Sequence, residues 1–379
     1  MAHTDIRRAQ RLVTGTHALG QLPTELHACG ARRALVVCGP HIAASPVLED
    51  VLVAAGEVVV GIFTNCAGNA PLEVVEQIVQ RARDEQADSL ISVGGGSVHD
   101  AAKGASILFG EGGRLTDHAS WFTPPDQLVV PLLSGQRLPI VAVATTLSAS
   151  EATASAGFHD SKTGTKLVVV DRAAPIRSVI HDPRLAATTP RPVLAASAGN
   201  ALNHCVEAIY SRGHGPFTDA LATSALRMLT GSIAAALDGD LTALETCQVG
   251  AYVSGLAMPS NGLGVNHAVC HVLGVFGASH GAANSAMLAH GMRFNLPYSA
   301  ARQAIIAQAS GSSNGTAAAD GIEATLRAIG APTSLRELGL DRAQLPAVAA
   351  RALHDRHMFA NPRPVVDVAE LEQLLQEAW

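Results

Sequence analysis

The sequence predicts two domains: an α/β unit with a mostly parallel sheet over residues 1–183, then an all-α unit over residues 184–379. Three observations carry this. Short β-rich runs alternate with helical stretches up to Asp182-Pro183, the pattern of strands joined by crossover helices. Beyond that point strand-like runs vanish and helical periodicity continues to the end. A chain of 379 residues, 48% hydrophobic and 15% charged, has enough apolar surface for two cores.

Taken in order, residues 34–38 (ALVVC) and 58–64 (VVVGIFT) are buried-strand candidates, and 72–85 is a periodic, charged surface helix. Residues 89–93 (SLISV) form a third strand, followed by Gly94-Gly95-Gly96-Ser97 and a helix to about 108. Residues 140–144 (IVAVA) are a fourth strand, and 166–170 and 178–180 are further short ones. The stretch 111–138, with Gly, paired Pro and Trp, is too long for an ordinary connection and predicts a functional excursion. In the second half, Ala-rich helices break at 213–216, 259–262 and 311–315, and 311–316 (GSSNGT) predicts a flexible turn.

Composition excludes several functions. Aromatic residues are 3% and the net charge is −6, with no basic run, so neither a stacking surface nor a phosphate-backbone partner is expected. Six cysteines without a CxxC pair read as reduced thiols of a cytoplasmic chain. The first ten residues carry no apolar signal segment, and no apolar run is expected to reach the length of a membrane span.

The chemistry gathers in four places. Gly94-Gly95-Gly96-Ser97 follows a strand and opens a helix, where free N–H groups, the dipole and missing side chains suit a diphosphate; Asp100 and Lys103 follow on its first turns. A plain glycine turn would look similar, and His99 stands where the usual dinucleotide fingerprint has glycine. Thr145-Thr146-Leu147-Ser148 sits at another strand's carboxyl end, where open α/β sheets bind ligands, though it could simply be a helix cap. Asn200 and His204, four apart, share one helix face; so do His267 and His271, with His280 nine further on. Three imidazoles and an amide converging between packed helices would make a metal or proton-transfer site.

The ordered set GGGSVHDAAK, ATTLSASEAT, Lys166, HDPRL, GNALNHCVEA, HAVCHVLG and SHGAAN resembles the iron-containing alcohol dehydrogenase superfamily, related to dehydroquinate synthase, from about residue 11 to 295. The resemblance implies an N-terminal dinucleotide-binding domain using NAD(H) or NADP(H), a helical domain, a small-molecule substrate and a homodimer. It places Gly95, Gly96 and Ser97 on the cofactor diphosphate, with Asp100 beside them, Thr145, Thr146 and Ser148 along the cofactor cleft, and Lys166 close to the cofactor. The iron or zinc ligand positions fall on Asn200, His204, His267 and His280. His271 matches a non-ligand histidine near nicotinamide and substrate.

Two departures bear on activity. Metal-binding members carry Asp where this chain has Asn200, and the interval from His267 to His280 is one residue shorter than usual. Asn200 with AVCH resembles the maleylacetate reductase branch, which implies little bound metal. The long 111–138 excursion and GGGSVHDAAK resemble the alcohol dehydrogenases instead. Gly39 stands where NAD-selective enzymes often place an acid on the ribose, so NADPH is expected to be tolerated. The expectation is thus an NAD(P)-dependent oxidoreductase with His271, His204 and His267 as catalytic residues: a maleylacetate-reductase-like enzyme, or alternatively a metal-dependent alcohol dehydrogenase or aldehyde reductase. A dehydroquinate-synthase-like lyase lacks its expected basic cluster, and a non-catalytic nucleotide-binding protein has no use for the histidines.

Overall fold

The structure, a computed structural model, describes residues 10–66, 68–124, 127–173, 175–259, 262–312 and 317–379. The reading of the extreme N-terminus, part of the break at 259–262, and residues 313–316 of the expected flexible turn lie outside them.

The first half builds β1 (Arg11–Thr14), α1 (Leu22–Ala28), β2 (Ala34–Cys38), α2 (Pro40–Ala43), α3 (Pro46–Ala55), β3 (Val59–Phe63), α4 (Leu72–Asp84), β4 (Ser89–Gly94) and α5 (Gly96–Glu111). There follow β5 (Trp121–Thr123), β6 (Gln127–Val129), β7 (Ile140–Ala144), β8 (Ser155–Asp160), β9 (Thr165–Val170) and β10 (Ile176–His181). Six strands form one parallel sheet in the order β1-β10-β7-β4-β2-β3.

The central strands β2, β4 and β7 are buried along their whole length. Their alternating side chains therefore feed two cores. Leu35, Val37, Leu90 and Ala142 pack with α4 and α5; Val36, Cys38, Ile91 and Val143 pack with α1 and α3. Helix α4 shows why such sequence becomes a covering helix: Val75, Ile78, Val79 and Ala82 make one apolar stripe, with Glu73 in the first turn and Arg81 and Arg83 in the last. From β2 the chain runs outward to β3, and from β4 it runs the other way to β7. The carboxyl ends of β2 and β4 thus flank a switch point, where ligands of open α/β sheets bind.

Some readings need correction. The run at 166–170 is not in the parallel sheet: β9 pairs antiparallel with β8, which the sequence reading missed, as it missed the edge strand β1. β1 is exposed at both ends and β8 alternates partly buried with buried residues, so both lack the continuous apolar run that marks a buried strand. The 111–138 excursion holds the hairpin β5–β6 and docks through Ser120, whose N–H donates to the Val168 carbonyl at 2.8 Å. Its far end is tied by the buried Arg137, 2.9 Å from Glu111 and 2.6 Å from Asp171.

The second half is helical: α6 (Pro183–Ala186), α7 (Arg191–Tyr210), α8 (Pro216–Leu237), α9 (Leu241–Leu256), α10 (Val265–Leu273), α11 (His280–Ser310), α12 (Ala318–Ala328), α13 (Leu345–Ala352) and α14 (Val368–Ala378). Helix α7 is buried nearly all round and forms the axis; α8, α9, α11 and α12 share its core. Helix α11 kinks near Pro297, where Ser299 leaves helical geometry with φ −138°. Contrary to the sequence reading, α8 is long and apolar enough to cross a membrane by length and composition. Much of that apolarity is alanine and leucine that pack within the domain core, among them Ala222, Ala225, Leu226 and Leu229.

The approach of α7 and α11 positions the site. A Cβ on Gly281 would lie 2.8 Å from the Ala196 carbonyl oxygen, and one on Gly199 would collide with the Ser285 hydroxyl. These two glycines let the helix backbones come close, so that Asn200 and His280 face each other.

Candidate active site

A cleft of about 780 Å³ separates the parallel sheet from the helical half. Its walls bring together Gly95, Gly96, Ser97, Asp100, Thr146, Ser148 and Lys166 from one side and Asn200, His204, His267, His271 and His280 from the other. Gly39 and Thr145 stand outside this lining. Gly39 caps α2 against the Cys66 carbonyl, 2.9 Å from where its Cβ would be. Thr145 is buried; its N–H donates to the Gly94 carbonyl at 2.9 Å, and its own carbonyl accepts from the Thr189 hydroxyl at 2.8 Å.

The glycine loop is built for close approach. Gly94 adopts φ +144°, a conformation that side chains disfavour, and so turns the chain sharply from β4 into α5. A Cβ on Gly95 would sit 3.0 Å from Thr146, and one on Gly96 would sit 3.1 Å from Ser148. These hydroxyl residues fill the space the glycines leave. The Ser97 hydroxyl accepts from the Asn69 N–H at 3.0 Å and keeps its proton free to donate. Helix α5 has no side-chain cap on its first N–H groups. Together these features fit a dinucleotide diphosphate.

Asp100 lines the cleft with its carboxylate engaged by protein groups. Its carboxylate accepts from the Ser150 hydroxyl and, at 3.0 Å, from the Gly157 N–H, and it lies 2.9 Å from Lys103. Lys103, fully buried, also donates to the carbonyls of Ser150 and Ser155 at 2.8 and 2.6 Å. The pair clamps α5 to the β8 segment and only edges the cleft. Lys166, on β9, brings its ammonium 3.4 Å from His280 Nδ1, and burial lowers its pKa against the pull of Asp100 and Asp355.

The imidazoles form one contiguous group. His267 lies 5.2 Å from His204, 5.5 Å from His280 and 6.1 Å from His271 between ring centroids. Each has its own support, mostly invisible in the sequence. His267 Nδ1 lies 2.7 Å from Glu207 Oε2; Glu207 also accepts from the N–H groups of Asn266 and His267 at 2.9 and 3.2 Å, which caps α10 from below. Burial pushes the Glu207 carboxyl pKa up and that of His267 down, and Asn203 Nδ2 lies 2.7 Å from the same His267 Nδ1. His204 Nδ1 is 3.4 Å from the Ser254 hydroxyl. His271 Nδ1 is 2.8 Å from Asp355 Oδ2, and burial raises the pKa of that carboxyl. His357 packs 4.9 Å from His271 by ring centroid, and its Nδ1 accepts from the Leu263 N–H at 2.9 Å.

The fourth expected metal position is arranged otherwise. The Asn200 amide donates to the Ser148 carbonyl at 3.0 Å, and its oxygen accepts from Asn284 Nδ2 at 2.9 Å. The same Asn284 amide lies 3.1 Å from His280 Nε2. Three imidazoles suit a divalent ion by chemistry. As arranged, however, the Asn200 oxygen and the inner His280 nitrogen are already occupied by an amide. Among the described residues, the His and Asp ligand atoms that lie within 4.8 Å of one another belong to His271, Asp355 and His357. An ion at the expected position would have to displace the Asn284 amide from both atoms.

Sequence reading missed Glu207, Asn284, Asp355 and His357. Asn284 had a signal, standing four residues after His280 on one helix face, and Glu207 was a lone acid in an apolar helix. Asp355 and His357 had none, lying far along an Ala-rich tail.

Comparison with known proteins agrees with this architecture. Residues 9–183 match the model of the iron-containing alcohol dehydrogenase family, and residues 194–379 match the model of the C-terminal domain of the Fe-containing alcohol dehydrogenase family. The NAD-dependent methanol dehydrogenase of Bacillus methanolicus is 30% identical over 97% of each chain. Maleylacetate reductase 1 of Cupriavidus pinatubonensis is also 30% identical, over 97% of this chain and 95% of that one. The crystal structure of 1,3-propanediol oxidoreductase covers all of both chains at 29% identity, with a TM-score of 0.87.

Proposed function

The chain belongs to the iron-containing alcohol dehydrogenase family, and on that premise we propose that it is an NAD(P)H-dependent reductase of a small unsaturated oxo acid, similar in activity to maleylacetate reductase. The observation that carries the reading is the Asn200 side chain, both ends of which are held by protein groups, Ser148 and Asn284. A site that fills its metal corner with an amide favours chemistry without a metal. The reading takes residues 1–183 as the dinucleotide-binding domain and 184–379 as the source of the catalytic histidines.

In this reading Gly95, Gly96 and Ser97 hold the diphosphate, while Thr146 and Ser148 flank the cofactor. When bound, the nicotinamide supplies the hydride to a carbonyl or alkene carbon. The remaining work belongs to the chain. Glu207 and Asn203 hold His267 through Nδ1, which leaves its Nε2 facing the cleft toward the substrate oxygen. His204 stands beside it for the same oxygen. His271 gives a proton from Nε2 while Nδ1 takes one from Asp355. Packed helices exclude water from these rings, which strengthens each interaction.

The test is oxidation of NADH and of NADPH with maleylacetate against a panel of neutral aldehydes, with and without chelator. Turnover of maleylacetate in chelator is expected; turnover of aldehydes alone, lost on chelation, would reject it. One observation favours the second reading, a metal-dependent alcohol dehydrogenase or aldehyde reductase. A carboxylate on the far nitrogen of an imidazole, as Glu207 is on His267, commonly orients a metal-bound histidine.

A further inference from the structure

A smaller cavity of about 160 Å³ opens behind His357. It shares Thr153, Ser155, Met258 and His357 with the wall of the main cleft, so the two spaces adjoin. Val130, from the excursion after β6, walls it, as does Gln10, whose amide donates to the Glu151 and Ile176 carbonyls. Among the described residues, two arginines, Arg172 and Arg356, line it and no carboxylate does. Arg356 is 7% exposed. Among the described residues its Nε has no hydrogen-bond partner, and no carboxylate forms an ion pair with it. Burial lowers its pKa, while the neighbouring Asp355 opposes that shift. A buried guanidinium left unpaired is costly, and a planar fork of five donors matches a carboxylate.

We propose that Arg356, with Arg172, forms an anion subsite that binds the carboxylate of the substrate while its reacting carbon lies among His204, His267 and His271. This deepens the oxo-acid reading and rests on it. The subsite would select carbonyl compounds that carry a carboxylate over neutral aldehydes of equal length. Its chemistry would also accept inorganic phosphate; the diphosphate loop is no part of this cavity, so a cofactor phosphate is not the expected occupant. The excursion acquires a role as the outer wall of the subsite.

The experiment compares kcat/KM for 4-oxobutanoate and butanal in the full chain, and titrates succinate and inorganic phosphate by calorimetry. The wild type should prefer 4-oxobutanoate, and Arg356→Gln should lower that preference by about tenfold or more, through KM above all. Arg356→Lys should restore part of it, since charge returns without the fork. Arg172→Gln, at an exposed position, should lower it by about threefold, and it carries the test if Arg356→Gln does not fold. An unchanged preference in the arginine variants overturns the proposal, and so does phosphate binding as tightly as succinate. If neither aldehyde is reduced, turnover of maleylacetate decides the reductase reading by itself. Succinate binding that weakens about tenfold in Arg356→Gln would then still support the subsite, and equal binding would reject it.

Discussion

Asn284 Nδ2 donates to Asn200 Oδ1 across 2.9 Å, joining α11 to α7 at the fourth metal position expected from the sequence. The corner is thus held by a neutral amide pair that offers a cation no charge. The expected consequence is a protein that purifies with little bound metal and stays active in chelator. Asn200→Asp should raise zinc affinity by about tenfold or more, since a carboxylate adds charge to three imidazoles. Elemental analysis and competition with a chromogenic chelator give the answer; stoichiometric metal in the wild type, with activity lost on its removal, overturns the metal-free reading.

His271 and Asp355 make a separate prediction. His271→Ala should lower kcat by about 10²-fold with little change in cofactor affinity. Asp355→Asn keeps a partner 2.8 Å from Nδ1 but cannot replace the proton, so kcat should fall less and its pH profile should shift. A variant at 271 with near-normal turnover would leave the ring as packing.

Gly96→Val should abolish dinucleotide binding, read by nicotinamide fluorescence, while the cooperative melt persists. The structure divides the cause in two. An added Cβ would meet Ser148 at 3.1 Å before any phosphate. Gly96→Ala combined with Ser148→Gly relieves that collision. If the double variant still fails to bind, the lost approach of phosphate to the backbone is responsible; unchanged affinity in Gly96→Val would move the diphosphate elsewhere.

Selectivity between cofactors is expected to respond at Gly39, where Gly39→Asp should reduce use of NADPH more than of NADH. Because a Cβ there meets the Cys66 carbonyl at 2.9 Å, Gly39→Ala is the control for strain. An aspartate variant with the same NADPH-to-NADH ratio of kcat/KM as the alanine control would show that this turn does not face the ribose.

The amino-acid sequence by itself determined the architecture and most of the cleft. The fully buried strands β2 and β7 are continuous apolar runs and β4 is nearly so, and Asn200–His204 and His267–His271 follow from helical period, because both signals are local. Only tertiary structure decided what each cleft residue does. Asp100 is clamped by Lys103, Ser150 and Gly157; Asn200 is occupied by Asn284 and Ser148; His271 is paired with Asp355 from 84 residues away. Arg356, whose Nε finds no partner among the described residues, stands beside that pair for the same reason. The partners come together only through the close crossing of α7 and α11 and the return of the C-terminal segment over α10. A hydrogen bond between distant residues leaves no periodic trace in a sequence, and it is these bonds that separate a ligand from a clamp.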